Sequence, residues 1–332
     1  MHMKITATAN ANIALVKYWG KRDPELFLPY NSSISLTLDG LSTTTTVEFN
    51  GYDQDVFILD NQEIKEGKGL EKLIRHLDLI RKIAGVNKKA KIVSRNNFPT
   101  AAGLASSASG FAALTLAITK ALGMNLDSKE LSIVSRQGSG SSTRSCLGGF
   151  VEWTKGEKQD GTDSYAKQIA IANHWPEFRM ITTIVSTRAK KVSSRAGMAK
   201  TIETSPIYKV WLDTIERDLD NARQGILKKD IALVGGTAEM NCLKMHSTMM
   251  TANPPIIYWQ PATLEIMHSV LEWREQGLEC YFTIDAGPQV KIICLEDQVK
   301  EIKKRLQSLS GAKEIIVCKP GQGPRIIDKH LF

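Results

Sequence analysis

Asn97-Phe98-Pro99-Thr100-Ala101-Ala102-Gly103-Leu104-Ala105-Ser106-Ser107-Ala108-Ser109-Gly110 runs straight into an apolar segment, Phe111 to Leu122. Small residues let a backbone approach a polyanion closely, and the free N–H groups at a helix start supply donors and the positive end of a dipole. Upstream, 91–94 reads as a short strand; downstream, 105–122 reads as a helix. Strand, loop, helix is the context that a phosphate cradle needs. Neither the Gly-x-x-x-x-Gly-Lys-Ser/Thr loop nor the dinucleotide glycine spacing occurs, so a different nucleotide-binding class is implied. A flexible linker, or a small-residue helix packed tightly on a neighbour, is the competing reading of the same residues.

The 332 residues suffice for a large core and two lobes. With 42% hydrophobic and 23% charged residues, disorder is disfavoured. The net charge of +8 permits anionic partners, yet Lys and Arg are interleaved with acids along the chain, without a basic block carrying exposed aromatics. An anionic metabolite is therefore expected, with no nucleic acid and no membrane as partner. Cys146, Cys242, Cys280, Cys294 and Cys318 are widely spaced and form no Cys-x-x-Cys pair, which predicts reduced, buried thiols in a cytoplasmic protein. Residues 1–10 lack the apolar core of a signal peptide, and no run of about 18 apolar residues occurs.

Along the chain, β-branching in Thr43-Thr44-Thr45-Thr46 favours a strand over 36–49. Leu70, Leu73, Ile74, Leu77, Ile80 and Ile83 recur at helical spacing. A helix over 128–136 ends at a second small-residue loop, 138–142, before a strand over 149–153. From about residue 180 the pattern becomes a strand over 180–186, several helices between 193 and 276, strands over 280–285 and 290–295, a helix over 297–309 and a strand over 314–317. Strands and helices in both halves predict an α+β fold of two lobes.

Four polar constellations lie beside these strands, where functional groups tend to be mounted. The first is Asn10-Ala11-Asn12-Ile13-Ala14-Leu15-Val16-Lys17-Tyr18-Trp19-Gly20-Lys21-Arg22-Asp23. Its two lysines, four apart around an aromatic pair, suit a phosphate or carboxylate; by itself the segment reads as a solvated basic turn. The second, Ser139-Gly140-Ser141-Ser142-Thr143-Arg144-Ser145, offers hydroxyls, close backbone and a forked guanidinium, or simply helix capping. The third, Lys190-Lys191-Val192-Ser193-Ser194-Arg195-Ala196-Gly197-Met198, is again cationic and hydroxylic at a helix start. In the fourth, Thr283-Ile284-Asp285-Ala286-Gly287-Pro288, an acid ends an apolar strand. It is either a turn residue or the group that takes a proton from a substrate hydroxyl.

Together and in this order, these segments resemble the diphosphomevalonate decarboxylase family over nearly the whole chain. The match is carried by 12–23, Leu28-Pro29-Tyr30-Asn31-Ser32-Ser33-Ile34-Ser35, 97–110, 139–144, Gly148-Gly149-Phe150-Val151-Glu152-Trp153, 192–198 and Asp285-Ala286-Gly287-Pro288. The family sits in the superfamily of galactokinase, homoserine kinase, mevalonate kinase and phosphomevalonate kinase. The resemblance implies that superfamily's two-lobed α+β fold, with ATP in a cleft between an ATP-binding lobe, 1–180, and a second lobe, 181–332, carrying the catalytic aspartate. The glycine-serine loop is common to the superfamily, whereas Lys17-Tyr18-Trp19-Gly20-Lys21 points to the decarboxylase branch.

What the resemblance implies is ATP- and Mg²⁺-dependent conversion of (R)-5-diphosphomevalonate to isopentenyl diphosphate, ADP, phosphate and CO₂, as a step of isoprenoid synthesis. Asp285 would position or deprotonate the C3 hydroxyl, Lys17 would sit near the C3 oxygen and keep Asp285 ionised, and Arg144 would hold the substrate carboxylate. Gly103, Leu104, Ala105, Ser106 and Ser107 would cradle the ATP phosphates, with Ser106 on the metal and Ser94 and Asn96 near the nucleoside. Tyr18, Lys21, Ser139, Gly140, Ser141, Ser194 and Arg195 would grip the diphosphate, with Trp19, Gly20, Ser142, Thr143 and Met198 completing the substrate site. Lys68, Lys72 and Arg75 all remain open as the basic contact from the helix that begins near Leu70. Phe150, Val151 and Trp153 read as core. A homodimer is expected on the same ground.

Overall fold

The four threonines at 43–46, stiff at χ1 and poor helix formers, sit inside a sixteen-residue strand. The computed structural model describes residues 4–98, 106–186, 188 and 190–332. Its elements in chain order begin with β1 (Lys4–Val16), β2 (Lys21–Asp23), β3 (Leu28–Pro29), β4 (Ser33–Glu48), β5 (Val56–Leu59), β6 (Gln62–Glu63), α1 (Lys68–Ala84), β7 (Lys91–Asn96), α2 (Ser106–Ala121), α3 (Ser128–Gly138), α4 (Ser142–Ser145), β8 (Phe150–Trp153) and β9 (Ala166–Ala170). They continue with β10 (Phe178–Ile184), α5 (Ser194–Thr204), α6 (Tyr208–Asp213), α7 (Ile215–Lys228), α8 (Ile231–Met250), α9 (Pro261–Glu275), β11 (Tyr281–Ile284), β12 (Val290–Leu295), α10 (Val299–Gln307), β13 (Glu314–Cys318) and β14 (Arg325–Ile327).

Among the described residues the strands form three sheets. The first runs β14-β1-β4-β7-β5-β6, with β8 against β4 at Ser33–Leu36 and β9 against β8. The second, antiparallel, runs β11-β12-β10-β13, and the third is the short pair β2-β3. The architecture is α+β, as the sequence predicts. The last residues return to the first sheet: β14 pairs β1, and the Gly321 amide donates to the Thr37 carbonyl at 2.7 Å.

One expectation fails here. Residues 10–16, readable as part of a solvated basic turn, belong to β1, which pairs β4 from Lys4↔Glu48 to Val16↔Ile34. Ala7 and Ala9 pack in the core beneath α2, whereas Ala11, Ile13 and Leu15 pack in the core shared with α7 and α8. The switch follows a register shift at Asn10/Asn12. A strand this thoroughly buried, with small residues and inward asparagines, lacks the polar and apolar alternation that marks a half-exposed strand.

The helices follow their sequence signals closely. The Asp127 side chain caps α3 and Glu130 completes the capping box, while Gly85 ends α1 in the left-handed conformation. All five cysteines are unpaired and buried, as predicted. Among the described residues no helix is long and apolar enough to cross a membrane.

Candidate active site

Lys17 follows the end of β1 directly, and its main chain is pinned on both sides. Its amide donates to Asn241 Oδ1 on α8 at 2.8 Å, and its carbonyl accepts from Asn31 Nδ2 at 2.8 Å. Asn241 Nδ2 donates in turn to Asp218 on α7, which also pairs with Lys244. The Lys17 ammonium donates to the Ala14 carbonyl at 2.8 Å and to Asp285 Oδ1 at 2.7 Å. Asp285 lies one residue beyond β11, so strands from both halves of the chain meet at this ion pair.

A second lysine reaches the same carboxylate. Lys291, on β12, stands 3.2 Å from Asp285 Oδ2. The lysine side chains are 2% and 1% exposed, against 30% for Asp285, which faces the cleft. Burial alone would raise the Asp285 carboxyl, but the charges and hydrogen bonds of Lys17 and Lys291 outweigh it and hold the group well below the usual carboxylate range. At neutral pH Asp285 is an anion.

Arg144, on α4, is 3% exposed and has no carboxylate partner among the described residues. Its Nε donates to Asn12 Oδ1 at 3.3 Å and its Nη1 to Ser33 Oγ at 2.6 Å, while Asn12 Nδ2 donates to the Ser141 carbonyl and Ser145 Oγ. Burial lowers its pKa to about 10, which leaves it cationic at neutral pH. A buried guanidinium supported by neutral groups is poised for an incoming anion.

More cations gather around one ring. Phe27 adopts a positive φ of 56°, and its face carries Lys21 Nζ at 3.5 Å, with the Arg75 and Arg195 guanidinium carbons at 5.2 and 5.3 Å from the centroid. Lys72 lies close enough to depress Lys21 electrostatically. Burial, reinforced by Arg195, Lys72 and Arg75, brings Lys21 down to about 7, and burial with Arg195 and Arg75 brings Lys72 to about 8. None of these four cations is ion-paired among the described residues. Four unpaired cations at one place define a polyanion site.

Lys17, Asp285, Arg144, Phe27, Lys21 and Lys72 line one cleft of about 450 Å³, with Tyr18, Trp19, Ser139, Gly140, Ser141, Ser194, Arg195 and Met198 in its wall, and Ser106 and Ser107 at one end. Gly140 is required by proximity: a Cβ there would lie 2.9 Å from Trp153 and 3.0 Å from Tyr18. Gly20, Ser142 and Thr143 are not among the residues lining the cleft. Gly20 has φ of 118° and supports the turn, with a Cβ position only 1.9 Å from Tyr208 Oη. The Ser142 hydroxyl shares its one proton between the Ser135 and Ser139 carbonyls, at 2.8 and 2.6 Å, and that of Thr143 donates to the Gly140 carbonyl, so both are spent inside the α3–α4 turn. Of the three basic candidates on α1, Lys72 lines the cleft and Arg75 stands over Phe27.

A second pocket, of about 250 Å³, adjoins the first. Phe57, Ile58, Leu59, Leu73, Phe111 and Leu114 make it apolar, Ser94 and Asn96 add polar groups, and it shares Lys72, Ser106 and Ser107 with the cleft. Ser106 opens the sixteen-residue helix α2. An apolar slot meeting a helix N-terminus and a lysine fits a nucleoside followed by its phosphates. Gly103, Leu104 and Ala105 lie outside the described residues. Among the described residues no group of three His, Cys, Asp or Glu could hold a metal. The Ser106 hydroxyl, where the two pockets meet, is a hard-oxygen donor, so the residues present are compatible with Mg²⁺ carried in by a phosphate ligand.

Sequence reasoning missed Lys291, Phe27 and Asn241. The signal for Lys291 was available: it is the one charge within the apolar strand Val290–Leu295. Phe27 and Asn241 acquire their roles only through folding.

This fold and cleft define a nucleotide-dependent enzyme for a small polyanionic substrate, built on the α+β plan of the galactokinase and mevalonate kinase superfamily. Family models agree: residues 9–166 match the diphosphomevalonate decarboxylase-like N-terminal domain, and 180–314 the mevalonate 5-diphosphate decarboxylase C-terminal domain. The chain belongs to the diphosphomevalonate decarboxylase family. Human diphosphomevalonate decarboxylase is 36% identical over 380 residues, covering 98% of this chain and 94% of its own. The crystal structure of mevalonate diphosphate decarboxylase from Staphylococcus aureus superimposes with a TM-score of 0.94 at 42% identity, covering 99% of both chains. A structure of "MDDEF in complex with MVAPP, AMPPCP and Magnesium" gives 0.92 at 42% identity, covering 99% of this chain and 100% of that one.

Proposed function

We propose that the protein converts (R)-5-diphosphomevalonate and ATP to isopentenyl diphosphate, ADP, phosphate and CO₂. The observation that carries this reading is the Asp285 carboxylate, bonded to Lys17, in a cleft that also holds Arg144 and the unpaired cations around Phe27. A substrate with a diphosphate at one end and a carboxylate at the other matches that spacing of charge. Bound ATP with Mg²⁺ supplies the phosphoryl group that makes the C3 oxygen a leaving group.

Asp285 aims the C3 hydroxyl and accepts its hydrogen bond; because the carboxylate is weakly basic, the proton passes to it only late, as the new O–P bond forms and the bond to the ADP oxygen breaks, so that position and charge dominate its contribution. Lys17, which also lines the cleft, stabilises negative charge on the C3 oxygen as the C–O bond breaks. Arg144 orients the substrate carboxylate until the C1–C2 bond breaks and its electrons form the C2=C3 double bond. Lys21, Lys72, Arg75 and Arg195, with Tyr18, Ser139, Ser141 and Ser194, hold the diphosphate, while Trp19, Gly140 and Met198 shape the wall. Ser94 and Asn96 flank the nucleoside, and Ser106 and Ser107 meet its phosphates.

The lobe assignment, 1–180 for ATP and 181–332 for the catalytic acid, draws support from the separate sheet of β10 to β13, but its bounds shift: 180 falls inside β10, and β14 returns the end of the chain to the first sheet. We read the protein as cytoplasmic and homodimeric, as the reduced thiols and the family suggest. The test of function is an ATP and Mg²⁺ assay in which mevalonate, 5-phosphomevalonate and 5-diphosphomevalonate are offered separately. Turnover with the diphosphate alone supports the reading; turnover with the monophosphate alone, or none, overturns it.

A further inference from the structure

Two buried lysines converge on one carboxylate, and they stand on opposite sides of it. Lys17 reaches Oδ1 and lines the cleft, whereas Lys291 reaches Oδ2 and is not among the cleft-lining residues. An anion entering the cleft competes with Asp285 for the Lys17 ammonium. It cannot compete for Lys291, which is 1% exposed and otherwise donates only weakly, at 3.4 Å, to the Gln289 carbonyl. Burial and the Lys17 charge work against the Lys291 ammonium while Asp285 works for it, so a lysine this deeply buried is costly unless held by this carboxylate.

We propose that Lys291 is a positioning residue for phosphoryl transfer: it holds Asp285 Oδ2 from behind the cleft, so that the carboxylate stays ionised and aimed while Lys17 serves the substrate. The proposal rests on the function given above and deepens it. The other groups facing Asp285 do not supply this hold. Arg144, on α4, is engaged with Asn12 and Ser33. Lys190, before α5, donates to the Ala286 carbonyl and Ser194 Oγ. His246, on α8, lies against the backbone of Ile284 and Asp285, and burial keeps it neutral, with a pKa of about 3. Lys291 alone bonds the second oxygen among the described residues.

The test uses Lys291→Met, which keeps the length and removes the charge, with Lys291→Arg as the charge-preserving control and Lys291→Gln should the methionine variant not fold. Steady-state kinetics across pH 5 to 9 with 5-diphosphomevalonate, ATP and Mg²⁺ give one readout. A second needs no turnover: ¹³C-carboxyl NMR of aspartate-labelled protein, with Asp285→Asn identifying the resonance, follows ionisation directly. The proposal predicts that Lys291→Met lowers kcat between about 10- and 100-fold with KM within about 3-fold. It also predicts that the Asp285 carboxyl titration moves upward by about one pH unit or more, and that Lys291→Arg returns both kcat and the titration toward wild type. An unmoved carboxyl titration, or a loss confined to KM, overturns it. Wild-type protein inactive on every mevalonate substrate would overturn the functional reading instead, and the NMR titration would still decide whether Lys291 holds Asp285.

Discussion

The Lys17 amide donates to Asn241 Oδ1 at 2.8 Å, joining the end of β1 to α8 across 224 residues of chain. This bond sets where the Lys17 ammonium emerges, because Asn241 is itself fixed by Asp218. Asn241→Ala leaves the Lys17 amide and the Asp218 carboxylate short of a partner in a buried place. The expected cost is about 2 kcal/mol of stability, with a larger loss of kcat than of substrate affinity. Chemical denaturation and steady-state kinetics on the same preparation check both.

Asp285→Asn removes the anion shared by Lys17 and Lys291 and leaves two buried ammonium groups facing a neutral amide. The folded-state carboxyl is depressed, so its contribution is present above the unfolded carboxylate pKa and is lost as pH falls through the lower folded value. Denaturation at pH 7 should show the variant less stable by about 3 kcal/mol, the difference narrowing toward acid. Phosphoryl transfer should fall at least about 100-fold.

Binding of 5-diphosphomevalonate should take up protons near pH 8. In the free protein Lys21 and Lys72 titrate at about 7 and about 8, lowered by burial and by neighbouring cations, and a diphosphate raises both. Their gain in affinity is full below the free values and is lost as pH rises through the values in the complex. Calorimetry without ATP, in buffers of different ionisation enthalpy, measures the uptake; none at pH 8 would contradict the assignment of the diphosphate to this cluster.

How much of this could be read from residues alone depended on whether a signal was local. The anion loop, the acid ending an apolar strand and the arginine after Ser139-Gly140-Ser141 all announce themselves in short stretches, and Asp285 and Arg144 line one cleft as expected. Lys17 did not announce its burial, because a strand covered on both faces shows no alternation. Ser142 and Thr143 matched a motif, yet the turn they stabilise consumes their hydroxyls. The choice among Lys68, Lys72 and Arg75 required knowing which face of α1 looks across to Phe27, and Phe27 itself takes part through a left-handed backbone that no pattern foretells.

The second pocket should be nucleoside-specific. Leu73→Glu places a carboxylate in its apolar wall, beside Phe57 and Leu114. The KM for ATP should rise at least about 10-fold, since an unpaired charge in an apolar slot is costly, with the KM for the diphosphate substrate within about 3-fold. Equal changes in both would argue against two abutting subsites.

Phosphoryl transfer at Asp285 and loss of CO₂ should be one enzyme's successive acts on one substrate. The most direct test of this succession follows ADP, inorganic phosphate and CO₂ together from 5-diphosphomevalonate, ATP and Mg²⁺. Equal amounts of all three are expected, and their common loss in Asp285→Asn. CO₂ released without ADP, or ADP formed without CO₂, would contradict it.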